Sequence, residues 1–309
     1  MKLLLIFNPH AAMRRSVRLL PDIRKGLQQF AAVEVVATRH AGHAVELVAA
    51  ADLGAFDGVI AVGGDGTLFE VLNGLYRKEP QDRIPLGLVP VGTGNAFARD
   101  LGLMPGEWQK GIDIIARNQL GRVDVARVQT RSETFHFLNI IGMGFAVDAG
   151  MTAKKLKFVG NAAYTLATLW QIIRLKSYPL HIEIDGKNLK QDNVFVQISN
   201  SRYTGTNFLI APDAQIDDGL LDVTLLCALP RGRLLRLFPT IYSGRHVQYQ
   251  EVSTFQAQRI NIHAPHGRLL APDGEFLGHT PADIRCLQRD LEIFLPDTLD
   301  RTVRKQPDL

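Results

Sequence analysis

Val59-Ile60-Ala61-Val62-Gly63-Gly64-Asp65-Gly66-Thr67 is the stretch whose reading decides the fold. An unbroken apolar run ends abruptly in a glycine-rich turn, and Leu68-Phe69-Glu70-Val71-Leu72 follows with helical character. A run that short and that apolar suits a strand covered on both faces of a parallel sheet. Glycines let the chain turn sharply and bring bare N–H groups against a ligand. The helix that starts directly afterwards adds its own unpaired N–H groups and the positive end of its dipole, which favours anions. Asp65 at such a place is informative, because a carboxylate beside phosphates makes sense with a divalent cation between them. The turn matches neither GxxxxGK[ST] nor GxGxxG. The plainer reading is a tight strand-to-helix turn with an acidic N-cap.

Working outward, apolar runs alternate with amphipathic stretches. Strands are expected over 3–7, 33–36, 59–62 and 85–89, and helices over 16–30, 44–51 and 68–76. That alternation predicts a doubly wound α/β domain, with ligands beyond the carboxyl ends of its strands. The strand at 85–89 runs into a second glycine turn, Pro90-Val91-Gly92-Thr93-Gly94-Asn95, before another helical stretch. Two such turns from neighbouring strands would face each other across one crevice. Thr93 offers a hydroxyl and Asn95 an amide to phosphate or to a metal's water shell, although Asn95 is also a ready helix cap.

Near residue 123 the pattern changes to short strands and turns: 134–140, 180–184, 194–198, 221–226, 259–263 and 268–270. Helical insertions are expected over 162–174 and 231–242. The reading is an α/β domain over 1–123 and an all-β sandwich over 124–309, with the last strand (291–295) returning to the first domain. In the second half, Asp273-Gly274-Glu275 presents two acids on a tight turn. Either one could take a hydroxyl proton or help hold a metal, or the turn could be a simple hairpin. The acidic turn Ala211–Leu220 gathers carboxylates and carbonyls that suit Mg²⁺ or Ca²⁺, or else is a solvated loop. Lys154, Lys155 and Lys157 precede the apolar 158–173 stretch, with Arg174 and Lys176 after it. Such a helix either rests on an anionic bilayer or packs in the core with solvated ends.

Composition sets the frame. The chain has 309 residues, 46% of them hydrophobic and 21% charged, enough for two packed domains without staples. A formal net charge of +4 favours anionic partners without demanding nucleic acid, and no nucleic-acid motif accompanies it. Cys227 and Cys286 lack metal-type spacing and read as reduced thiols, His246 and His279 as structural, and no segment reads as a membrane span.

Taken together, Asn8-Pro9, Thr38, the two glycine turns, Val123-Asp124, Asn139 with Gly144-Phe145, the Asp217-Asp218-Gly219 turn and Asp273-Gly274-Glu275 resemble the diacylglycerol kinase catalytic family. That family includes soluble bacterial lipid kinases and sphingosine kinases, and the likeness covers nearly the whole chain. The resemblance implies a phosphofructokinase-like α/β domain, a β-sandwich, and an active site in the cleft between them. It implies ATP contacts at Asn8, Thr38, Gly63, Gly64, Asp65, Gly66, Thr67, Leu68, Phe69 and Thr93, and a proton acceptor at Glu275 in preference to Asp273. It further implies a structural Mg²⁺ held by Asp218 and the carbonyls of Gln215 and Leu220, with Asp124 near the active-site metal network. The expected activity is ATP- and Mg²⁺-dependent phosphorylation of a lipid hydroxyl, by a cytoplasmic protein touching the membrane peripherally, with room for a homodimer. Where many diacylglycerol kinases carry Asp after the second turn, this chain has Ala96, as sphingosine-kinase-like members also lack that acid. The alternatives are an NAD kinase-like enzyme, against which the Asp-Gly-Glu turn argues, and a nucleotide-responsive lipid-binding protein.

Overall fold

The structure is a computed structural model that describes residues 1–155, 170–205, 207–264 and 267–297. Its first lobe is built on four parallel strands, β1 (Lys2–Phe7), β2 (Ala32–Ala37), β3 (Gly58–Gly63) and β4 (Leu86–Pro90), in the order β2-β1-β3-β4. Every residue of β3 and β4 is buried, as their continuous apolar sequences require. The step from β1 to β2 runs one way along the sheet, and the next two steps run the other way. Right-handed crossovers therefore put α1 (Arg15–Leu27) on one face and α2 (His43–Ala50) and α3 (Asp65–Leu75) on the opposite one. Helix α5 (Trp108–Arg117) packs beside α1, and the short α4 (Ala96–Asp100) opens after the second glycine turn.

The second lobe is β-rich. Strand β9 (Lys187–Ser199) is its hub, paired with β8 (Tyr178–Ile184), β7 (Ile140–Gly144) and β12 (Leu221–Cys227). β13 (Val252–Ala257) extends this sheet beyond β12, and β14 (Arg259–His263) extends it beyond β8. Two further elements complete the lobe, α6 (Phe145–Lys155) and α7 (Arg231–Leu237). Each lobe has its own core, one around Leu5, Ile60 and Leu72, the other around Phe137, Ile182, Ile198 and Leu225.

Two strands run through both lobes. β5 (Leu120–Gln129) and β16 (Ala282–Phe294) pair antiparallel along almost their whole lengths, and Ile293 at the end of β16 pairs in parallel with Leu86 of β4. The register shifts between Leu287 and Leu291, so Gln288, Arg289 and Asp290 stand opposite the single residue Asp124. This is a bulge that bends the ribbon where it passes between lobes. Asp124, fully buried, accepts from Arg289 N (2.7 Å) inside the bulge. Asp290 reaches out of it to the Tyr76 hydroxyl (2.7 Å) and to Arg83 (3.0 Å) in the first lobe.

Several expected elements differ in detail. The strand expected over 134–140 is two strands, β6 (Thr134–Phe137) and β7, because the N–H groups of Leu138, Asn139 and Ile140 turn aside to the Asp273 carboxylate. The helix expected over 231–242 stops at Leu237 and tightens into a 3-10 stretch, Phe238–Ser243, since Pro239 has no N–H to continue it. The strand expected over 268–270 is β15 (Leu270–Pro272). Lys157 and most of the 158–173 stretch lie outside the described residues, as do the side chains of Lys154 and Lys155; residues 170–173 are helical. Among the described residues no helix is long and apolar enough to cross a membrane. Cys227 and Cys286 are free thiols.

Candidate active site

The two glycine turns meet. The Gly63 carbonyl accepts from both Val91 N (2.9 Å) and Gly92 N (3.0 Å), which ties one turn to the other. A Cβ built on Gly92 would fall 2.5 Å from Gly64 Cα, closer than any real side chain sits to a neighbouring backbone. Glycine at Gly64 and Gly92 is therefore what allows β3 and β4 to bring two loops of bare backbone into contact. At the start of α4, Asn95 takes a left-handed conformation (φ 52°), and its Nδ2 folds back on the Gly92 carbonyl (2.8 Å). It does not cap α4. Asp65 does so from the other turn, accepting from Ala96 N at 2.7 Å.

Asp65 is therefore a clamp as well as an acid. Its surroundings push the carboxyl up to about 6, burial acting first and the backbone N–H groups of residues 95–97 pulling the other way. Opposite it stands the Asp-Gly-Glu turn of the second lobe. Asp273 is buried and accepts from Ile140 N (2.9 Å), Asn139 N (3.2 Å) and Leu138 N (3.4 Å). Burial and then the neighbouring Asp65 push it up to about 7, against the pull of those N–H groups. Glu275 is half-buried, and a Cβ on Gly66 would lie 2.7 Å from its Oε1, so this carboxylate rests directly over the first glycine turn. Acids from both lobes thus converge on one rim.

An apolar cavity of about 230 Å³ opens from that rim. Asp65, Ala96 and Asp273 line its mouth, and Phe195, Leu237 and Phe238 are among the residues that line the rest of its wall. Ala96 contributes only a methyl group there.

Other sequence-predicted residues fall in three places. Asn8 and Thr38 stand at the carboxyl ends of β1 and β2 beside the first turn; Asn8 Nδ2 donates to Thr67 Oγ1 (3.1 Å), and Thr38 N donates to Phe7 O (2.8 Å). Thr93 is exposed at the tip of the second turn. Leu68 and Phe69 point away: their side chains enter the two cores, and Leu68 N is already bonded to Gly64 O (3.1 Å). Asp124 belongs with the acidic turn instead of the crevice. Its second oxygen accepts from Gly219 N (2.6 Å), so it holds that turn against the bulge of β16. In the acidic turn, Asp218 accepts from Leu220 N (3.0 Å); burial, then Asp124 and Asp217, raise its carboxyl above the ordinary range. Gln215 lies on the same turn.

Sequence reasoning missed the polar seam between the lobes. Asp100 at the end of α4 forms a buried ion pair with Arg202 (2.8 Å) just beyond β9. Asn200 donates to the carbonyls of Asp124 (3.0 Å) and Leu138 (2.9 Å), and the Ser201 hydroxyl donates to Asn139 Oδ1. The signal was present as Asn-Ser-Arg directly after an apolar strand, but its partner Asp100 lies 102 positions away.

Comparison with known proteins agrees with this architecture. A family model described as the diacylglycerol kinase catalytic domain matches residues 2–128. A second, described as the YegS C-terminal NAD kinase beta sandwich-like domain, matches residues 139–295. The chain is 33% identical to a diacylglycerol kinase of Mycobacterium tuberculosis, covering 81% of this chain and 80% of that one. It is 28% identical to a diacylglycerol kinase of Bacillus subtilis over 94% of this chain and 95% of that one. Sphingosine kinase 1 of Arabidopsis thaliana is 27% identical over 94% of this chain and 71% of its own length. The crystal structure of a proposed diacylglycerol kinase from Bacillus anthracis superposes with a TM-score of 0.80 at 28% identity, covering 96% of this chain and 98% of that one.

Proposed function

We propose that this chain, which belongs to the diacylglycerol kinase catalytic-domain family, transfers the γ-phosphoryl group of ATP to the hydroxyl of a lipid. One observation carries the proposal: the contact of the two glycine turns, with Glu275 resting over Gly66 and an apolar cavity opening from the same rim. Phosphoryl transfer asks a protein chiefly for positioning and charge neutralisation, and this rim offers both. Asn8, Thr38, Thr93 and the Gly63–Thr67 backbone form the nucleotide side. The lipid chain lies in the cavity and its hydroxyl meets the rim.

Glu275 is the better proton acceptor of the two acids. Asp273 is tied to three backbone N–H groups and shapes the β6–β7 turn, so it positions Glu275 and has little freedom to move. Asp65 and Asp273 fit a divalent cation, since burial and their mutual repulsion oppose ionisation of both together. Mg²⁺ held there would neutralise charge building on the phosphate oxygens. The acidic turn fits a second, structural Mg²⁺ or Ca²⁺ at Asp218 and the Gln215 and Leu220 carbonyls, because its acids raise one another. The apolar cavity suits a lipid far better than the polar dinucleotide of an NAD kinase.

Beside the cavity wall at Leu234 and Leu237, exposed Trp170, Ile173 and Leu235 sit with Arg174 and Arg231, and Arg231 Nε donates to Ile173 O (2.8 Å). Apolar side chains ringed by arginine suit peripheral contact with an anionic bilayer. The test of the whole reading is incubation with ATP, Mg²⁺ and a total lipid extract, followed by mass spectrometry. A lipid gaining one phosphate supports it; ATP binding with no phosphorylated lipid favours a lipid-binding protein without catalysis.

A further inference from the structure

Two side chains in the wall of the apolar cavity are almost fully buried and carry polar atoms with no partner. Gln197, 2% exposed, makes no side-chain hydrogen bond among the described residues, and its Nε2 is sealed from solvent. His246, 1% exposed, lies with Nε2 3.0 Å from the Ile210 carbonyl. A carbonyl only accepts, so the proton is on Nε2 and Nδ1 is left as a bare acceptor, also unpartnered. Burial lowers the affinity of this ring for a second proton and keeps it neutral. Unpaired buried polar groups are uncommon in folded proteins, and two in the wall of one apolar cavity call for a ligand.

Their depth follows from strand register. Gln197 on β9 pairs with Thr224 of β12 on one side and Gly142 of β7 on the other. Two residues further along β9, Ser199 pairs with Ile140, whose N–H donates to Asp273 at the reacting rim. The strand rise therefore sets Gln197 roughly 7 Å deeper than that rim.

We propose that Gln197 and His246 read hydrogen-bonding groups of the lipid itself, several bonds beyond the phosphorylated hydroxyl, and that the substrate class is a long-chain lipid bearing a secondary amide or a further hydroxyl there. This inference rests on the lipid-kinase reading of the same site. An amide or hydroxyl donates to His246 Nδ1 and accepts from Gln197 Nε2. An ester accepts only and leaves His246 bare, a mismatch that hydrogen-bonding sites reject. The Thr224 hydroxyl, opposite Gln197, gives either group a second neighbour.

The experiment uses a matched pair: 1,2-dioctanoylglycerol and its analogue with one ester replaced by a secondary amide. Phosphorylation is followed with ATP and Mg²⁺, and binding is followed separately by displacement of a fluorescent lipid. The intact protein should prefer the amide by about tenfold or more in both readouts. Gln197→Leu and His246→Phe should each cut that preference to about threefold or less, because each removes one of the paired groups. Equal affinity for the two lipids in the intact protein overturns the inference whatever the variants do, as does a preference that survives both substitutions. A binding preference without phosphate transfer to either lipid supports this inference and removes the kinase reading.

Discussion

Replacing Gly92 by alanine tests the contact on which the site is built. The new Cβ would stand 2.5 Å from Gly64 Cα, 3.1 Å from Gly64 N and 2.7 Å from Asn95 Oδ1. Carbon–carbon contacts settle near 3.5–4.0 Å, so the turns must separate by about 1 Å. Neither yields easily, since Gly63 O holds Val91 N and Gly92 N and both turns emerge from buried strands. Overpacking of this kind costs about 1–3 kcal/mol and lowers the melting temperature by several degrees. Displacing phosphate-facing backbone by about 1 Å should lower kcat/KM on the order of 100-fold. Calorimetric titration with ATP reads the same displacement without any lipid and should show markedly weaker binding. Gly232→Ala is the control, because nothing lies within 4 Å of its new Cβ. Wild-type ATP affinity and an unchanged melting temperature in Gly92→Ala would refute the reasoning.

Glu275→Gln should lower kcat by about 10²–10⁴-fold while ATP affinity stays within about twofold; unchanged turnover would remove Glu275 from the chemistry. Arg202→Met strands the buried Asp100 carboxylate and should cost about 3–5 kcal/mol in urea unfolding. Adding Asp100→Leu should recover part of that loss, and a single-variant loss under about 1 kcal/mol would dismiss the seam. Without metal, Asp65 and Asp273 retain protons more strongly folded than unfolded, with values near 6 and 7 against an ordinary 3.8. Their contribution is therefore most favourable at about pH 4 and below and fades as pH rises through 6 and 7, a change on the order of a few kcal/mol. Thermal scans should accordingly show Mg²⁺ with a non-hydrolysable ATP analogue stabilising the protein more at pH 8 than at pH 5.5; equal shifts would count against a cation between these acids.

What the sequence disclosed, and what it hid, divides along chain distance. Strand, glycine turn and helix lie within ten consecutive residues, so the first lobe and both turns could be read from local pattern alone. The break between β6 and β7 could not, because the carboxylate that causes it is more than 130 positions away. Gln288, Arg289 and Asp290 interrupt an apolar pattern and hide that β16 begins at Ala282, well before the strand expected from 291. Asp124 was read as an acid for the active-site metal network because the residue that fixes its role, Arg289, is 165 positions away. Leu68 and Phe69 belonged to a motif, and only packing shows that their side chains serve the cores.

The β5–β16 ribbon has a mechanical consequence. A single peptide connection between lobes can swivel, but two strands crossing side by side resist torsion, and here they also carry a knuckle pinned by Asp124 on one side and by Tyr76 and Arg83 on the other. Wide jaw-like opening would have to tear that ladder. A long hydrocarbon guest must then thread in endwise, through whatever gap α7 and its neighbours leave, while the two halves stay at nearly constant separation throughout turnover.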